Sequence, residues 1–556
     1  MIIFLPSMAD TPQSHSPGSA PSGRTAPPDV PPSPPPPVWR PKFNPWLIGV
    51  VVSLAAFMEV LDTSIANVAL PYMAGSLGAS NDQSTWVLTS YLVSNAVVLP
   101  IGGWFSRVLG RKRFFMSCLV VFTLSSLLCG FAPSLGMLIL FRVLQGMGGG
   151  GLQPMAQAIL ADTFPPEKRG LAFALYGVTV IVAPTIGPTL GGWITDNYTW
   201  RWIFFINLPV GILALLLVYR LIEDPPWAKL VAGTFAKIDY VGVSLLILGV
   251  GALQVMLDRG QEDDWFGSHF IVTLMVLAAV GLVSLFIWEW LYKDPIIDVR
   301  LYKNLNFLTA NVMMFMLGLA LFSSLVMMPL YLQSLMGYTA ESAGLVLSGG
   351  GVLLLFLMPM AGTLSSKVQA RYLVAFGWLT LAIGMYISTQ QLDLQISFLS
   401  ASILRLFQVF GLGFLFVPIN LAAYIGMPVE KSNNIAGLVN FWRNIGSSVG
   451  TSMVTTLLAR RAQVHQVFLV AHTTPGVTTL RGLSAGLARH ILSAGVQAET
   501  AARKATALLY QSVIAQATLL AYIDTFIVLS ILSALMFVFS FVLRKNDPGS
   551  GRVALE

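Results

Sequence analysis

The sequence predicts an all-α membrane protein of fourteen transmembrane helices: two six-helix bundles with two further helices inserted between them. Three observations predict it. The chain is 55% hydrophobic and only 10% charged over 556 residues, whereas soluble domains carry about 25% charged residues. Apolar segments long enough to cross a bilayer as a helix, about 20 residues each, follow one another almost without pause. Two sequence patterns then recur in the same order, eight segments apart.

The elements run as follows. Residues 1–45 are rich in Pro, Ser and Gly, a composition that cannot bury a core and predicts a disordered or polyproline-like tail. The opening MIIFLP is apolar but short, with no basic residue before it, and does not read as a signal peptide. Apolar segments then fall at about 46–70, 84–105, 114–132, 136–158, 171–193, 202–221, 239–257, 269–291, 307–331, 342–364, 372–391, 397–420, 434–457 and 521–543. The fifth, sixth and thirteenth are interrupted by Gly, Pro or polar residues, which membrane helices tolerate. Residues 458–520 form a long connection rich in Ala, Leu, Gln and Arg, which suggests an amphipathic helical hairpin lying on the outer face.

The repeat organises these segments. Gly102-x-x-x-Ser106-Arg107-Val108-x-x-Arg111 follows the second segment, and Gly362-x-x-x-Ser366-Lys367-Val368-x-x-Arg371 follows the tenth. Arg142-x-x-Gln145 in the fourth segment precedes Pro165-Pro166-Glu167-Lys168, and Arg405-x-x-Gln408 in the twelfth precedes Pro428-Val429-Glu430-Lys431. Eight segments is an even number, so the copies share orientation, as in a transporter built from two parallel repeats with its path between them. The expected units are an N-terminal bundle over 46–222, an inserted pair over 238–292 and a C-terminal bundle over 306–543 carrying the outer loop 458–520.

Basic residues set the orientation. Arg107, Arg111, Lys112 and Arg113, then Lys168 and Arg169, Lys229 and Lys237, Lys293, Arg300 and Lys303, Lys367 and Arg371, and Arg544 and Lys545 all fall on one side. The positive-inside rule makes that side cytoplasmic, with both termini there. This asymmetry also accounts for the net charge of +7 without nucleic acid. The two cysteines, Cys118 and Cys129, share one apolar segment, which argues against a disulfide framework or a cysteine zinc site. No metal or other cofactor is expected. The run Gly148 to Gly151 lies in an apolar helix with no Gly-Lys-Ser/Thr after it, so it is not a phosphate loop and ATP drive is not expected. The predicted helices contain no histidine beyond His269 at an edge; no buried base and nucleophile are visible, and an enzyme is not expected.

The first segment carries the chemistry. Glu59 and Asp62 sit deep inside it, and an acid at mid-membrane costs roughly 2.5–3.5 kcal/mol on insertion scales. Spaced i, i+3 they share a face and are expected to titrate as a coupled pair, taking up and releasing a proton. Arg142, a turn from Gln145, has five donors and never deprotonates; it needs an acceptor, for which Asp62 and Glu59 are the obvious candidates. Gln145, Trp86, Tyr91 and Asn95 are candidate cavity residues in the first bundle, and Arg443 and Asn440 in the second. Arg443 either faces the central cavity, where it meets an anionic substrate, or snorkels to the surface. Gly187, Pro188, Gly191 and Gly192 mark a hinge or tight helix crossing in the fifth segment.

The stretches FMEVLDTSIANVALP, GGWFSRVLGRKRFF, LFRVLQGMGGGGLQP, APTIGPTLGG, WRWIFFINLP and LQVMLDRG together resemble the EmrB/QacA drug:proton antiporters of the major facilitator superfamily. The likeness covers about residues 46–545. It implies the major facilitator fold and proton-driven multidrug efflux of lipophilic small molecules. It implies a proton-binding acid at Asp62, a helix-four arginine at Arg142, and an antiporter motif over Gly187-Pro188 through Gly192. It further implies a multi-pass protein of the cell inner membrane, working with a periplasmic adaptor and an outer-membrane channel, for which residues 458–520 are the expected contact.

Overall fold

The computed structural model describes residues 41–224, 239–293, 295–471, 478–493 and 497–545. Most of the proline-rich tail, and Lys229 and Lys237, lie outside the described residues. The membrane helices are α1 Pro45–Leu77, α2 Trp86–Leu109, α3 Arg111–Gly130, α4 Leu135–Thr163, α5 Pro166–Asn197, α6 Trp202–Leu221 and α7 Tyr240–Arg259. They continue as α8 His269–Leu291, α9 Leu305–Leu335, α10 Ala340–Leu364, α11 Ala370–Gln391, α12 Phe398–Tyr424, α13 Ser432–Ala471 and α14 Ala498–Phe539. Thirteen described helices are long and apolar enough to span a bilayer. The fourteenth, α13, is more polar because Asn433, Asn440 and Arg443 all turn into the protein interior.

Each predicted segment is a helix, and most run past the apolar stretch that betrays them. The start signals are local. Asn44 caps α1, with Pro45 in the first turn where its missing N–H costs nothing. Ser134 caps α4 and Ser397 caps α12 through side-chain oxygens.

Tight pairings define the packing. α1 lies along α5, α2 and α3 along α4, α9 along α13, and α11 along α14. The first and second repeats meet where α5 packs on α10 and α2 on α13. At the end bearing the basic loops these contacts are close. Ser432 Oγ donates to Asp162 Oδ1 at 3.0 Å, and Asn433 Nδ2 to Ser106 Oγ at 2.7 Å. Asp162 is also held by Arg111 at 2.5 Å in a buried ion pair. At the opposite end α7 bonds to both α2 and α13. Asp258 accepts from Thr89, and Arg259 Nη1 donates to Thr85 Oγ1 at 3.0 Å. Gln254 Nε2 donates to Ser448 Oγ at 2.8 Å and Trp265 Nε1 to Thr456 Oγ1 at 3.0 Å. α8 packs on α7 and otherwise exposes an apolar surface.

The connection over 458–520 differs from expectation. It is helical, but not a separate hairpin laid on the surface. α13 continues unbroken to Ala471 and α14 begins at Ala498, with a short helix, Thr478–Ser493, between them. The 40 residues of α13 make about 60 Å of helix at 1.5 Å per residue, twice a hydrocarbon core of about 30 Å. Ala and Leu spaced along both extensions keep them helical, and Asp524 of α14 binds Arg461 and His465 of α13 at 2.6 and 2.7 Å, fastening one to the other.

Candidate functional site

Two polar clusters lie inside the first repeat, and both start on α1. Asp62 is fully enclosed. Its Oδ2 accepts from Arg142 Nη1 at 2.6 Å, and the two side chains are 1% and 0% exposed. Its Oδ1 accepts from Gln145 Nε2 at 2.9 Å and from Asn207 Nδ2 at 2.6 Å. Arg142 is held in turn by Gln145 Oε1 at 2.9 Å and by the Val87 carbonyl at 3.1 Å, and its guanidinium lies 4.2 Å from the centre of the Tyr91 ring. A buried ion pair survives desolvation only when its remaining lone pairs and protons find partners. Asp62 meets that condition through three N–H donors from α4 and α6, while Arg142 Nη2 remains unpaired.

Glu59 belongs to the second cluster. Its Oε1 accepts from Tyr91 Oη at 3.0 Å and Asn95 Nδ2 at 2.9 Å, and its Oε2 from Gln153 Nε2 at 2.5 Å. The two carboxyl groups of the expected pair thus have separate sets of donors. An i, i+3 spacing leaves side chains about 60° apart around a helix, enough to send Asp62 toward Arg142 and Gln145 of α4 and Asn207 of α6, and Glu59 toward α2 and Gln153, two turns further along α4. Tyr91 joins the clusters, with its ring under Arg142 and its hydroxyl on Glu59.

From Gln153 the second cluster crosses to the C-terminal helices. Its Oε1 accepts from Arg443 of α13 and from Tyr176 Oη, the latter at 3.2 Å. Asn440 Nδ2 donates to Gln157 Oε1 at 2.5 Å, and Gln157 donates to Asn420 of α12. Arg443 is 7% exposed and faces the seam between repeats, so of its two expected positions the interior one is observed.

The remaining candidates fall in three places. Gln145 stands on Asp62, and Tyr91 and Asn95 stand on Glu59. Trp86 is apart from both, its ring 5.4 Å from the Arg259 guanidinium. Gly187 and Gly191 form the crossing of α5 over α1 one turn beyond Asp62: a Cβ on Gly187 would stand 2.5 Å from Ser64 Cβ, and one on Gly191 3.1 Å from the Ile65 carbonyl. Pro184 leaves its carbonyl for Ser64 Oγ at 3.1 Å. Pro188 lies within the same helix, and Gly192 faces open space. Gln153, Gln157, Tyr176 and Asn207 were not among the sequence candidates. Gln153 and Gln157 do carry a signal, since amides at i, i+4 inside an apolar helix share one face, and Asn207 is a lone amide in the apolar run IFFINLP.

Chemically, the Asp62 carboxyl oxygens face three N–H donors and no acceptor. Protonation turns an acceptor oxygen into an O–H donor, so one of the three N–H groups loses its partner and Arg142 loses its counter-charge. Among the described residues no cluster of His, Cys, Asp or Glu suited to a metal ion occurs.

A membrane fold of two repeats with a charged site buried between helices defines a solute transporter. Residues 52–451 match the Major Facilitator Superfamily, and the chain belongs to it. Within that superfamily it belongs with the EmrB multidrug export proteins. It is 41% identical to Multidrug export protein EmrB of Haemophilus influenzae (strain Rd) over 77% of this chain and 83% of the relative. It is 38% identical to the protein of the same name from Escherichia coli K12, over 77% and 83%. The proton:xylose symporter XylE has the same fold, with a TM-score of 0.57 at 15% identity, covering 92% of this chain and 97% of that one.

Proposed function

We propose that this protein is a proton-driven multidrug antiporter that exports lipophilic compounds across the cell inner membrane, with both termini cytoplasmic. One observation carries the reading: the enclosed ion pair between Asp62 and Arg142 at 2.6 Å. Asp62 binds the transported proton, and Arg142 and Asn207 respond to the loss of its charge. Because Asn207 ties α6 and Arg142 and Gln145 tie α4 to α1, a change in that charge alters how three helices are held together. Glu59 transmits the change through Gln153 to Arg443 and the second repeat. The cavity residues are Tyr91, Asn95, Asn440 and Arg443, which lie where the repeats face each other. The work is transport, not covalent chemistry.

Two six-helix bundles rock about this seam, over 46–222 and 306–543, with the pair over 238–292 inserted. The contacts of Ser432 with Asp162 and of Asn433 with Ser106 close the cytoplasmic end. Each proton moving inward is worth about 2.3 kcal/mol per 100 mV, enough for one or two protons to drive substantial accumulation. The relatives are named multidrug export proteins, which supports lipophilic cargo. A periplasmic adaptor leading to an outer-membrane channel seats on the extensions of α13 and α14, which reach well past the bilayer. The direct test is proton release when drugs are added to detergent-solubilised protein. Wild type releases protons and Asp62→Asn does not; equal release by both overturns the reading.

A further inference from the structure

The repeat visible in the sequence continues in the three-dimensional arrangement. Arg405 and Gln408 lie 263 residues after Arg142 and Gln145, and Ser324 and Ser388 lie 262 residues after Asp62 and Ser126. The second set forms the same kind of cluster. Arg405 Nη1 donates to Ser324 Oγ at 3.1 Å and to Gln408 Oε1 at 3.4 Å. Gln408 Nε2 donates to Ser388 Oγ at 2.9 Å. In both copies an arginine, held by the glutamine one turn on, donates to a side chain of the first helix of its repeat: where the first repeat places the carboxylate of Asp62, the second places the hydroxyl of Ser324.

That difference leaves Arg405 without a counter-charge. The side chain is buried, with 2% of the residue exposed, and its Nε has no partner. Among the described residues no carboxylate pairs with it. A guanidinium stays protonated in any protein environment, and an unpaired charge inside a protein is strongly unfavourable. Glycine lets α10 close over that side: a Cβ on Gly350 would stand 2.9 Å from Val409 Cγ2 and 3.5 Å from Arg405 Nε. The next residue, Gly351, faces Thr185 of α5 across the seam between repeats, and a Cβ on Gly349 would meet nothing within 4 Å. Gly350 and Gly351 thus place the backbone of α10 between Arg405 and Thr185 of the seam.

We infer that Arg405 is the binding site for a carboxylate supplied from outside the chain. The first repeat shows what completes this cluster, namely a carboxylate seated on the guanidinium, and planar carboxylates fit the guanidinium fork. The ligand takes the place that an acid at position 324 would fill.

The test is thermal unfolding of the full chain in detergent, at constant ionic strength, titrated with sodium acetate, sodium octanoate or octanol. The variants are Ser324→Asp, which supplies the missing acid in place, and Ser324→Ala, which leaves the site open. Carboxylate raises Tm in wild type and in Ser324→Ala. Ser324→Asp has a higher Tm at the outset and does not respond. A response to acetate assigns the site to small free carboxylates; a response to octanoate alone assigns it to the carboxylate of a lipophilic molecule. An equal response to octanol, an undiminished response in Ser324→Asp, or no response in folded wild type overturns the inference. Arg443, the other interior guanidinium of the second repeat, is untouched by either variant, so loss of the response in Ser324→Asp points to Arg405 alone. The measurement needs no transport, so its failure leaves the antiporter reading standing.

Discussion

Glu59 and Arg443 lie on either side of one amide: Gln153 donates to the first and accepts from the second. A side chain of α4 thus joins an acid on the first membrane helix to a cation on the thirteenth. Replacing Gln153 with Leu leaves both charged groups short of a partner, a loss of roughly 1–3 kcal/mol for a buried group. Drug-driven transport in everted vesicles is expected to fall about tenfold, the equivalent of about 1.4 kcal/mol. Glu59→Gln keeps acceptors for Tyr91 and Asn95 and is expected to cost less. Equal losses in the two variants would argue against a link through Gln153.

Asp62 is a different case because its partner is an arginine that cannot shed its proton. Truncation to Ala leaves Arg142 buried and unpaired, with an expected destabilisation of about 3–5 kcal/mol, read as a fall in Tm. Asp62→Asn fills the same volume but cannot carry a proton. It is expected to retain drug binding while abolishing uphill efflux in proteoliposomes with an imposed pH gradient.

The crossing of α1 and α5 separates neighbouring glycines. Gly187→Ala places a Cβ 2.5 Å from Ser64 Cβ, and such overpacking costs roughly 1–3 kcal/mol. Gly192→Ala enters open space and is expected to stay within about 0.5 kcal/mol of wild type. Folded yield and Tm in detergent compare the two.

Closure of the basic-loop end is testable by cross-linking. Ser106 and Asn433 are hydrogen-bonded at 2.7 Å between α2 and α13. With Ser106→Cys and Asn433→Cys together, oxidation is expected to join the helices and stop transport, and reduction to restore it. Native Cys118 and Cys129 are both buried, so the background is low. Full transport by the cross-linked protein would show that this end need not open.

Much of the fold was legible because lipid demands long apolar helices, and the chain supplies them in sequence. α13 shows the limit: its asparagines and arginine lower its hydropathy since they face other helices, not lipid, and only its place in the repeat marks it as a span. In the site, charge alone called for a carboxylate partner to Arg142 and offered Asp62 and Glu59; the structure pairs it with Asp62. The divergence of Glu59 did not follow from charge, because i, i+3 spacing says that two side chains are neighbours without saying which helices surround them. Asn207 was hidden for the same reason. The equivalence of Asp62 and Ser324 was invisible because an acid and a hydroxyl share no sequence likeness, and only the shared contact with an arginine reveals it.

The unbroken course of α13 has a mechanical consequence. Arg443 sits 28 residues before Ala471, the last residue of that helix, a lever arm of about 42 Å at 1.5 Å per residue. Pivoting the helix about Arg443 by about 10° swings its far tip through about 7 Å by the same geometry. A small reorientation at the seam between repeats is thereby magnified into a displacement that anything resting on the tip would feel.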